Sequence, residues 1–308
     1  MLLSVVIVNW NSCEDLRLCL ESLRHQTHYN LETIVVDNGS SDESVAMTRR
    51  GFPEVMVIEA RENLGFAEGC NRGIEASHGD WVAMLNNDTI ADTAWAAELV
   101  AAAMDAPPSC GMLQSLQLFL SEPDVINSTG LVLTRAARGY DRDGGKPKSQ
   151  TPAAGEIFCP TAGAAAYRRS MLDAIKLPDG WFDSRHFMYY EDLDLGWRAQ
   201  LAGFGARFVP TSSVLHKYHG STRRHGPSWL KVILLINRIR TLLKNGSTRF
   251  WIENVFVTGF DLLGILRHGG FRAIRTLVEA VPSSLRSRSL INRMRKVSRE
   301  SVEARWAG

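Results

Sequence analysis

The chain has 308 residues, of which 45% are hydrophobic and 22% are charged. This balance is that of a globular protein with one large or two ordinary domains, and it excludes a disordered or fibrous chain. The net charge of +2 conceals an uneven distribution, because residues 1–222 hold 18 Lys and Arg against 28 Asp and Glu, whereas residues 223–308 hold 17 against 5. The acidic part argues against a broad nucleic-acid surface. The basic part predicts an anionic partner: a phospholipid surface, a lipid pyrophosphate or nucleic acid.

The cysteines and the apolar segments indicate the compartment. Five cysteines are widely spaced without a CxxC pair, which predicts a reduced, cytoplasmic protein with buried thiols. The apolar start, residues 1–8, has no basic leader, so we expect a first strand and not a signal peptide. The nearest approach to an uncharged span of 18 residues, 251–266, is interrupted by Glu253 and Asp261. We therefore expect no membrane-spanning helix.

Four short apolar runs, each followed by polar turn residues, predict the strands of an α/β sheet with interleaved helices. The predicted strands cover residues 4–8, 32–36, 55–58 and 81–85, and the predicted helices cover residues 13–25 and 66–76. In such sheets, ligands bind at the carboxyl ends of the strands. Three strand ends carry suitable side chains, namely Asn9 with Asn11, Asp37, and Asp88 in the run Asn86-Asn87-Asp88.

Three glycines at a spacing of four, Gly65, Gly69 and Gly73, begin the second predicted helix. Each glycine costs a helix up to about 1 kcal/mol relative to alanine. The spacing fits neither the dinucleotide fingerprint nor the P-loop. Two explanations remain open at this point: close packing of the helix, or approach of its backbone to a phosphate or ribose.

The middle of the chain predicts a long polar loop at about residues 134–155, either a lid over a site or a disordered excursion. Strand-like sequence resumes at 157–167, and two short late strands are predicted at 207–210 and 213–216. The second late strand ends at His216, with His219 close behind. A histidine at a strand end beside an acidic loop is a candidate metal ligand.

The segment Tyr189–Arg198 places three carboxylates, Glu191, Asp192 and Asp194, within four positions. A helix beginning here would put Glu191 and Asp194 on one face, with Arg198 as the partner of Asp194. One interpretation is an acidic helix start favoured by the helix dipole. The other interpretation is a catalytic site formed together with the second acidic loop at Asp88. In such a site one carboxylate would bind a metal and another would act as a base, which suits group transfer from a phosphorylated donor.

Residues 229–308 alternate apolar and basic side chains with helical spacing and end in a strongly basic segment. Basic amphipathic helices with Trp and Phe can lie in a membrane interface. The alternative is a set of helices packed on the body of the protein or on a partner subunit.

Taken together, residues 1–245 resemble family 2 glycosyltransferases, in particular the rhamnosyltransferase-like branch. Five motifs in the same order carry the resemblance: 5–11 (VVIVNWN), 36–42 (VDNGSSD), 63–73 (NLGFAEGCNRG), 85–88 (LNND) and 187–198 (FMYYEDLDLGWR). The resemblance implies a GT-A fold, a mixed, mostly parallel sheet flanked by helices, with a C-terminal helical extension. It also implies inversion at the anomeric carbon of a nucleotide sugar, with Mg²⁺ or Mn²⁺ as cofactor.

The resemblance also assigns roles to individual residues. Asp192 matches the catalytic base, and Glu191 helps to hold the acceptor. Asp88 is the last position of the metal loop, which has one carboxylate here because Asn86 and Asn87 precede it, and His216 matches the histidine that completes the metal site. The implied nucleotide contacts are Asn9, Asn11, Asp37, Asn63, Gly65, Asn71 and Asn87. The family often has Glu after Phe-Asp, whereas Ser184 follows Phe182-Asp183 here, which points to an altered acceptor pocket.

We therefore expect a catalytic domain at 1–222, with a nucleotide-sugar half at about 1–110 and an acceptor half at about 111–222, and a basic helical region at 223–308. The expected function is transfer of a sugar, rhamnose from a dTDP donor as the first choice and a UDP-sugar otherwise, to a lipid-linked or polysaccharide acceptor. The expected place is the cytoplasmic face of the plasma membrane, with a homo-oligomer as a possible assembly and no nucleic-acid partner. The alternatives are a nucleotidyltransferase, which should have a basic loop in place of residues 9–12, and a non-catalytic binding protein.

Overall fold

The computed structural model describes residues 1–218 and 226–308, and every statement below concerns this part of the chain. Its first half alternates strands and helices in the order β1 (Leu3–Asn9), α1 (Cys13–Arg24), β2 (Leu31–Asp37), α2 (Ser44–Gly51), β3 (Met56–Glu59), α3 (Phe66–Ala76), β4 (Trp81–Leu85), β5 (Thr89–Ala91), α4 (Trp95–Asp105) and β6 (Cys110–Phe119). The predicted strands and helices of this half are confirmed to within one or two residues.

The second half begins with short strands and ends in helices. The elements are β7 (Ile126–Ser128), β8 (Leu131–Leu133), β9 (Gly139–Asp141), β10 (Gly155–Ile157), β11 (Ala164–Arg168), α5 (Arg169–Ile175), α6 (Glu191–Leu201), β12 (Gly205–His216), α7 (Pro227–Asn245), α8 (Thr248–Glu253), α9 (Val255–Met294) and α10 (Arg299–Trp306).

The main sheet has ten strands and is mixed, as expected. Strand β1 pairs in parallel with β2 and β4, and β2 pairs in parallel with β3, so the carboxyl ends of these strands meet at one edge. Strand β11 joins this half to the other by antiparallel pairing with β4 and β6, and β12 runs parallel to β6. A separate hairpin consists of β8 and β9.

The glycines of α3 allow that helix to pack directly on the sheet. A Cβ atom on Gly69 would lie 2.6 Å from Val8, and one on Gly73 would lie 2.1 Å from Val6, both in β1. Close packing therefore explains these two glycines. Gly65 differs, because its φ of +86° requires glycine and its backbone faces Phe187.

Two predictions in the middle of the chain were wrong. The disordered alternative for segment 134–155 was wrong, since the segment contains β9 and a short 3-10 turn at Lys148–Gln150, whereas its role as a lid stays a prediction. The two late strands are one strand, β12, whose pairing with β6 is irregular between Val209 and Ser213. That irregularity, around Pro210, made one strand look like two in the sequence.

The C-terminal helices pack partly on the rest of the chain, and several of their basic side chains are buried. Lys244 forms ion pairs with Asp183 and Asp194, and Arg238 forms one with Asp261. The basic composition of the C-terminal region is therefore partly internal. In the described chain, no helix is long and apolar enough to cross a membrane. The predicted domain boundary at 222/223 and His219 lie outside the described residues.

Candidate active site

The ends of β1, β2 and β4 bring three predicted nucleotide contacts together. The amide nitrogen of Asn87 donates to Oδ1 of Asn9 over 2.7 Å, and Nδ2 of Asn9 lies 3.4 Å from Oδ1 of Asp37. All three side chains are buried. Parallel pairing of β1 and β2 sets Asn9 beside Asp37, so the sheet itself builds this row of polar groups.

The neighbouring loop extends the row towards Asn11 and Asn63. The backbone N–H of Asn11 donates to the Ser40 hydroxyl, which also lies within 3.4 Å of Asn9. The side-chain oxygen of Asn63 accepts from the N–H of Gly65, at 2.9 Å. A buried amide that the sequence interpretation missed, Asn38, connects these loops by donating to Asn63 and to the carbonyl of Gly65.

Asn71 is placed differently from the other predicted nucleotide contacts. Its Nδ2 donates to the carbonyl of Phe182 over 2.8 Å, and its Oδ1 accepts from the N–H of Phe182 over 2.9 Å. A side chain that satisfies both backbone groups of one residue holds a loop in place. These contacts explain Asn71 by packing, and its contact with a nucleotide stays a prediction.

The predicted metal ligands are adjacent. Nε2 of His216 lies 3.2 Å from Oδ1 of Asp88, and antiparallel pairing of β12 with β5 brings the two residues together. Nδ1 of His216 lies 2.8 Å from Oδ1 of Asn127, and because an amide oxygen only accepts, Nδ1 carries the proton. Nε2 then presents its lone pair towards the carboxylate.

This pair fits a divalent cation. Nε2 of His216 and Oδ1 of Asp88 lie 3.2 Å apart, and two ligands about 2.1 Å from an octahedral ion have a similar separation. No cluster of three or more His, Cys, Asp or Glu able to hold a metal occurs in residues 1–218 and 226–308. Asp88 and His216 would thus contribute two ligands, and the diphosphate of a donor and water would complete the shell.

The predicted base, Asp192, lies in the first turn of α6. Its Oδ1 accepts from the N–H of Leu193 over 2.7 Å, and its Oδ2 lies 3.4 Å from the N–H of Ala162. Burial raises the pKa of Asp192 to about 6, against the effect of these backbone donors. A carboxylate with this pKa is ionised at neutral pH and still able to accept a proton.

The two neighbouring carboxylates have different environments. Glu191 is buried and its Oε2 has no hydrogen-bond partner among the described residues. Burial, and then the charge of Asp192, hold the pKa of Glu191 well above its usual range. Asp194 instead forms ion pairs with Arg198 at 2.9 Å and with Lys244 at 2.7 Å. Its pairing with Arg198 was predicted and is confirmed.

One cavity of about 440 Å³ joins these groups. Asp88 and His216 lie on its wall, as do Glu191 and Asp192, so the candidate metal ligands and the candidate base face the same space. The wall also includes Gln117, Asn127, Tyr140, Asp141 and Tyr218, none of which we had singled out. Polar residues inside otherwise apolar strand sequence, Gln117 in β6 and Asn127 beside Ile126 in β7, were the available signal for the first two.

Comparison with known families agrees with this geometry. The model of the family described as "Glycosyl transferase family 2" matches residues 4–176. The chain belongs to glycosyl transferase family 2. It is 28% identical over 258 residues to the N-acetylglucosaminyl-diphospho-decaprenol L-rhamnosyltransferase of Mycobacterium tuberculosis, and the match covers 74% of this chain and 80% of that protein.

Solved structures show the same fold for this family 2 glycosyltransferase. GalNAc-T7, determined with UDP, GalNAc and Mn²⁺, matches with a TM-score of 0.64 and 17% identity over 81% of this chain and 49% of its own length. The mannosyltransferase PcManGT of Pyrobaculum calidifontis, in complex with GDP-Man and Mn²⁺, matches with a TM-score of 0.54 and 14% identity over 98% of this chain and 78% of its own. These similarities confirm the expected GT-A architecture.

Proposed function

We propose that this glycosyltransferase inverts the anomeric centre of a nucleotide sugar in a metal-dependent transfer to an acceptor hydroxyl. The observation that carries the proposal is the shared cavity, in which Asp192 faces the same space as Asp88 and His216. A base at the acceptor and a cation at the leaving diphosphate are the two charges that such a transfer needs.

Asp192 acts on the acceptor. A sugar hydroxyl is a poor nucleophile, and Asp192 accepts its proton as the oxygen attacks the anomeric carbon from the face opposite the diphosphate. The carbon–oxygen bond to the diphosphate then breaks, and the product has the inverted configuration. The pKa of Asp192, about 6, suits this role. The carboxylate is ionised at neutral pH and is more basic than that of an exposed aspartate.

Asp88 and His216 would hold Mg²⁺ or Mn²⁺, which when bound would supply positive charge to the leaving diphosphate. Asn127 fixes the tautomer of His216 through Nδ1 and so keeps Nε2 available as a ligand. The nucleotide lies along the polar row of Asn9, Asp37 and Asn87 and the adjoining Asn11, Asn63 and Gly65, at the carboxyl edge of the parallel strands.

Glu191 contacts the acceptor. Burial, and then the charge of Asp192, raise the pKa of Glu191 well above its usual range, which favours the protonated acid. A protonated carboxyl group can donate one hydrogen bond as well as accept others. The unpartnered Oε2 of Glu191 supports a contact completed by a bound acceptor hydroxyl.

The donor and the acceptor follow from similarity to the mycobacterial enzyme. We propose dTDP-rhamnose as donor and an N-acetylglucosaminyl diphosphate on a polyprenol as acceptor, in the synthesis of a cell-envelope glycan. The apolar rim of the cavity, with Leu230 and Leu234 of α7 and Met188, supports an acceptor that carries a lipid.

The outer face of α9 is the proposed contact with an anionic membrane surface. Phe256 and Phe260 are 81% and 74% exposed and stand four residues apart, with exposed Leu263 three residues further, so the three share one face of the helix. Arg267 is exposed on the same straight part of the helix, and Arg272 and Arg275 are exposed beyond the kink at Gly270. Exposed aromatics beside arginines suit the headgroup region of an anionic leaflet.

The experiment that tests the function is transfer from dTDP-rhamnose to a short-chain N-acetylglucosaminyl diphosphate lipid, with the product analysed by mass and by anomeric NMR. Calorimetric titrations with dTDP, UDP and GDP, each with and without Mn²⁺, test the donor class independently. An inverted disaccharide product is expected. A retained configuration, or no metal-dependent binding of any nucleotide to folded protein, would contradict the proposal.

A further inference from the structure

The segment directly before the base helix has an unusual backbone. Phe187, Tyr189 and Tyr190 have φ values of 63°, 66° and 69°, in the left-handed region that non-glycine residues avoid. Such a conformation persists only where contacts impose it. The segment ends at Glu191, the first residue of α6, so its path determines where the first turn of that helix, including Asp192, is placed.

One side of this segment, residues 187–190, packs against Gly65 and Ala67 at the start of α3. The carbonyl of Phe187 accepts from the N–H of Ala67 at 3.2 Å. A Cβ atom on Gly65 would lie 2.5 Å from the same carbonyl oxygen. Glycine is therefore required at position 65, because any larger residue would clash with the segment that precedes Asp192.

The other side accepts hydrogen bonds from a side-chain amide of the C-terminal region. Nδ2 of Asn237, in α7, donates to the carbonyls of His186, Met188 and Tyr189 at 2.8, 3.0 and 2.9 Å. Because an amide has two hydrogens, three acceptors share them. Asn237 is buried, and its oxygen accepts from Arg240 at 3.1 Å, which fixes the orientation of the amide.

Further buried polar groups of α7 anchor the same region. Thr241 lies 3.0 Å from the ring of His186, and Lys244 binds both Asp183 and Asp194 at 2.7 Å. Residues 237, 241 and 244 share one helical face by their spacing of four and three. Side chains on this face of α7 contact residues that precede Asp192, beginning at Asp183, and one residue that follows it, Asp194.

We propose that Asn237 is a positioning residue for the transfer, acting through residues 187–190 to hold Asp192 towards the acceptor. The inference rests on the proposed role of Asp192 as the base. It makes α7 part of the catalytic apparatus, although the matched family model ends at residue 176 and α7 lies beyond it.

The decisive variant is Asn237→Asp, which keeps the shape of the side chain and removes both hydrogens. Asn237→Ser, a milder change, serves if the aspartate variant does not fold. The matched control is Asn254→Ala, because Asn254 is also a buried amide of the C-terminal helices. Its Nδ2 donates to the carbonyls of Arg135 and Phe250 and its Oδ1 accepts from Arg238 of α7, so it contacts α7 without a hydrogen bond to residues 187–190.

The first readout requires no substrate. Hydrogen–deuterium exchange of amides in residues 186–194 should accelerate at least about tenfold in the Asn237 variants relative to wild type and to Asn254→Ala. Unchanged exchange in a folded Asn237 variant would overturn the proposal whatever the enzyme transfers.

The second readout is the kinetics with dTDP-rhamnose and the short-chain N-acetylglucosaminyl diphosphate lipid. We expect kcat to fall roughly 100-fold in the Asn237 variants, as for a misplaced catalytic group, with the Kd for dTDP unchanged and Asn254→Ala near wild type. A normal kcat overturns the inference. Asp192→Asn, measured in parallel, separates the two hypotheses, since a normal rate in that variant refutes the base itself.

Discussion

Nε2 of His216 and Oδ1 of Asp88 lie 3.2 Å apart, and the hydrogen bond from Nδ1 of His216 to Asn127 turns a lone pair towards the carboxylate. We expect Asp88→Ala to abolish Mn²⁺-dependent binding of dTDP in calorimetry. We expect Asn127→Ala to weaken Mn²⁺ affinity roughly 10–100-fold.

The control for these variants is His78→Ala, because His78 is an exposed histidine whose ring contacts a carboxylate, that of Glu32, outside the cavity. That substitution should leave the effect of Mn²⁺ unchanged. If Asp88→Ala bound dTDP with the same Mn²⁺ dependence as wild type, the ion would have to be held elsewhere, and the assignment would fail.

The role of Asp192 predicts a separation of catalysis from binding. Asp192→Asn keeps the size of the side chain but cannot accept the proton of the acceptor, so turnover should fall by about 10²- to 10⁴-fold. The Kd for dTDP-rhamnose should change little. Asp105→Asn is the matched control, since Asp105 is exposed and pairs with Arg207 outside the cavity. Near-normal turnover in Asp192→Asn would refute the assignment of the base.

The same carboxylate predicts a pH dependence. Burial raises the pKa of Asp192 to about 6, so the form able to accept a proton is lost as the pH falls through that value. The ratio kcat/KM should therefore be constant at neutral pH and decrease about tenfold per pH unit on the acid side. The measurement is a rate profile with the Kd of dTDP-rhamnose determined at each pH. A profile that stays flat to about pH 5 would contradict a base with this pKa.

Much of the site could be predicted because its chemistry is local in sequence. Asp37, Asp88 and Asp192 each follow or begin a regular element, and periodicity placed those elements correctly. Parallel pairing then brings strand ends together without further information. The contact of Asp194 with Arg198 was predicted from their helical spacing of four, and the proximity of Asp88 and His216 from the family resemblance. Both contacts are present.

The contribution of α7 could not be predicted, because it depends on tertiary contacts between distant segments. In the sequence, Lys244 and Arg238 look like members of a basic amphipathic surface. In the structure both are buried and pair with carboxylates, Lys244 with Asp183 and Asp194 and Arg238 with Asp261. Charge patterning alone does not distinguish a solvated basic face from an internal ion-pair network. Asn237 was not singled out because its contacts are with residues about 50 positions earlier in the chain, and these contacts appear only in the folded structure.

The glycines of α3 give a prediction on stability. Alanine at position 73 would place its Cβ 2.1 Å from Val6, and such overpacking usually costs about 1–3 kcal/mol of unfolding free energy. Gly51, in α2, has open space around its Cβ position, so Gly51→Ala should be neutral or slightly stabilising. Urea titration measures both. A loss of nucleotide affinity in Gly73→Ala without loss of stability would instead favour a ligand contact.

The outer face of α9 gives the last prediction. Burying one phenylalanine in a lipid interface contributes about 1.5–3 kcal/mol, which corresponds to a change of at least about tenfold in partitioning. Phe256→Ser and Phe260→Ser should each weaken co-sedimentation with phosphatidylglycerol vesicles accordingly, and neutral phosphatidylcholine vesicles should bind wild type more weakly because the arginines lose their partners. Met104→Ser is the control, because Met104 is 74% exposed on α4, outside the C-terminal helices. Equal binding of wild type and the Phe256 and Phe260 variants would assign this face to another partner, such as a second copy of the chain.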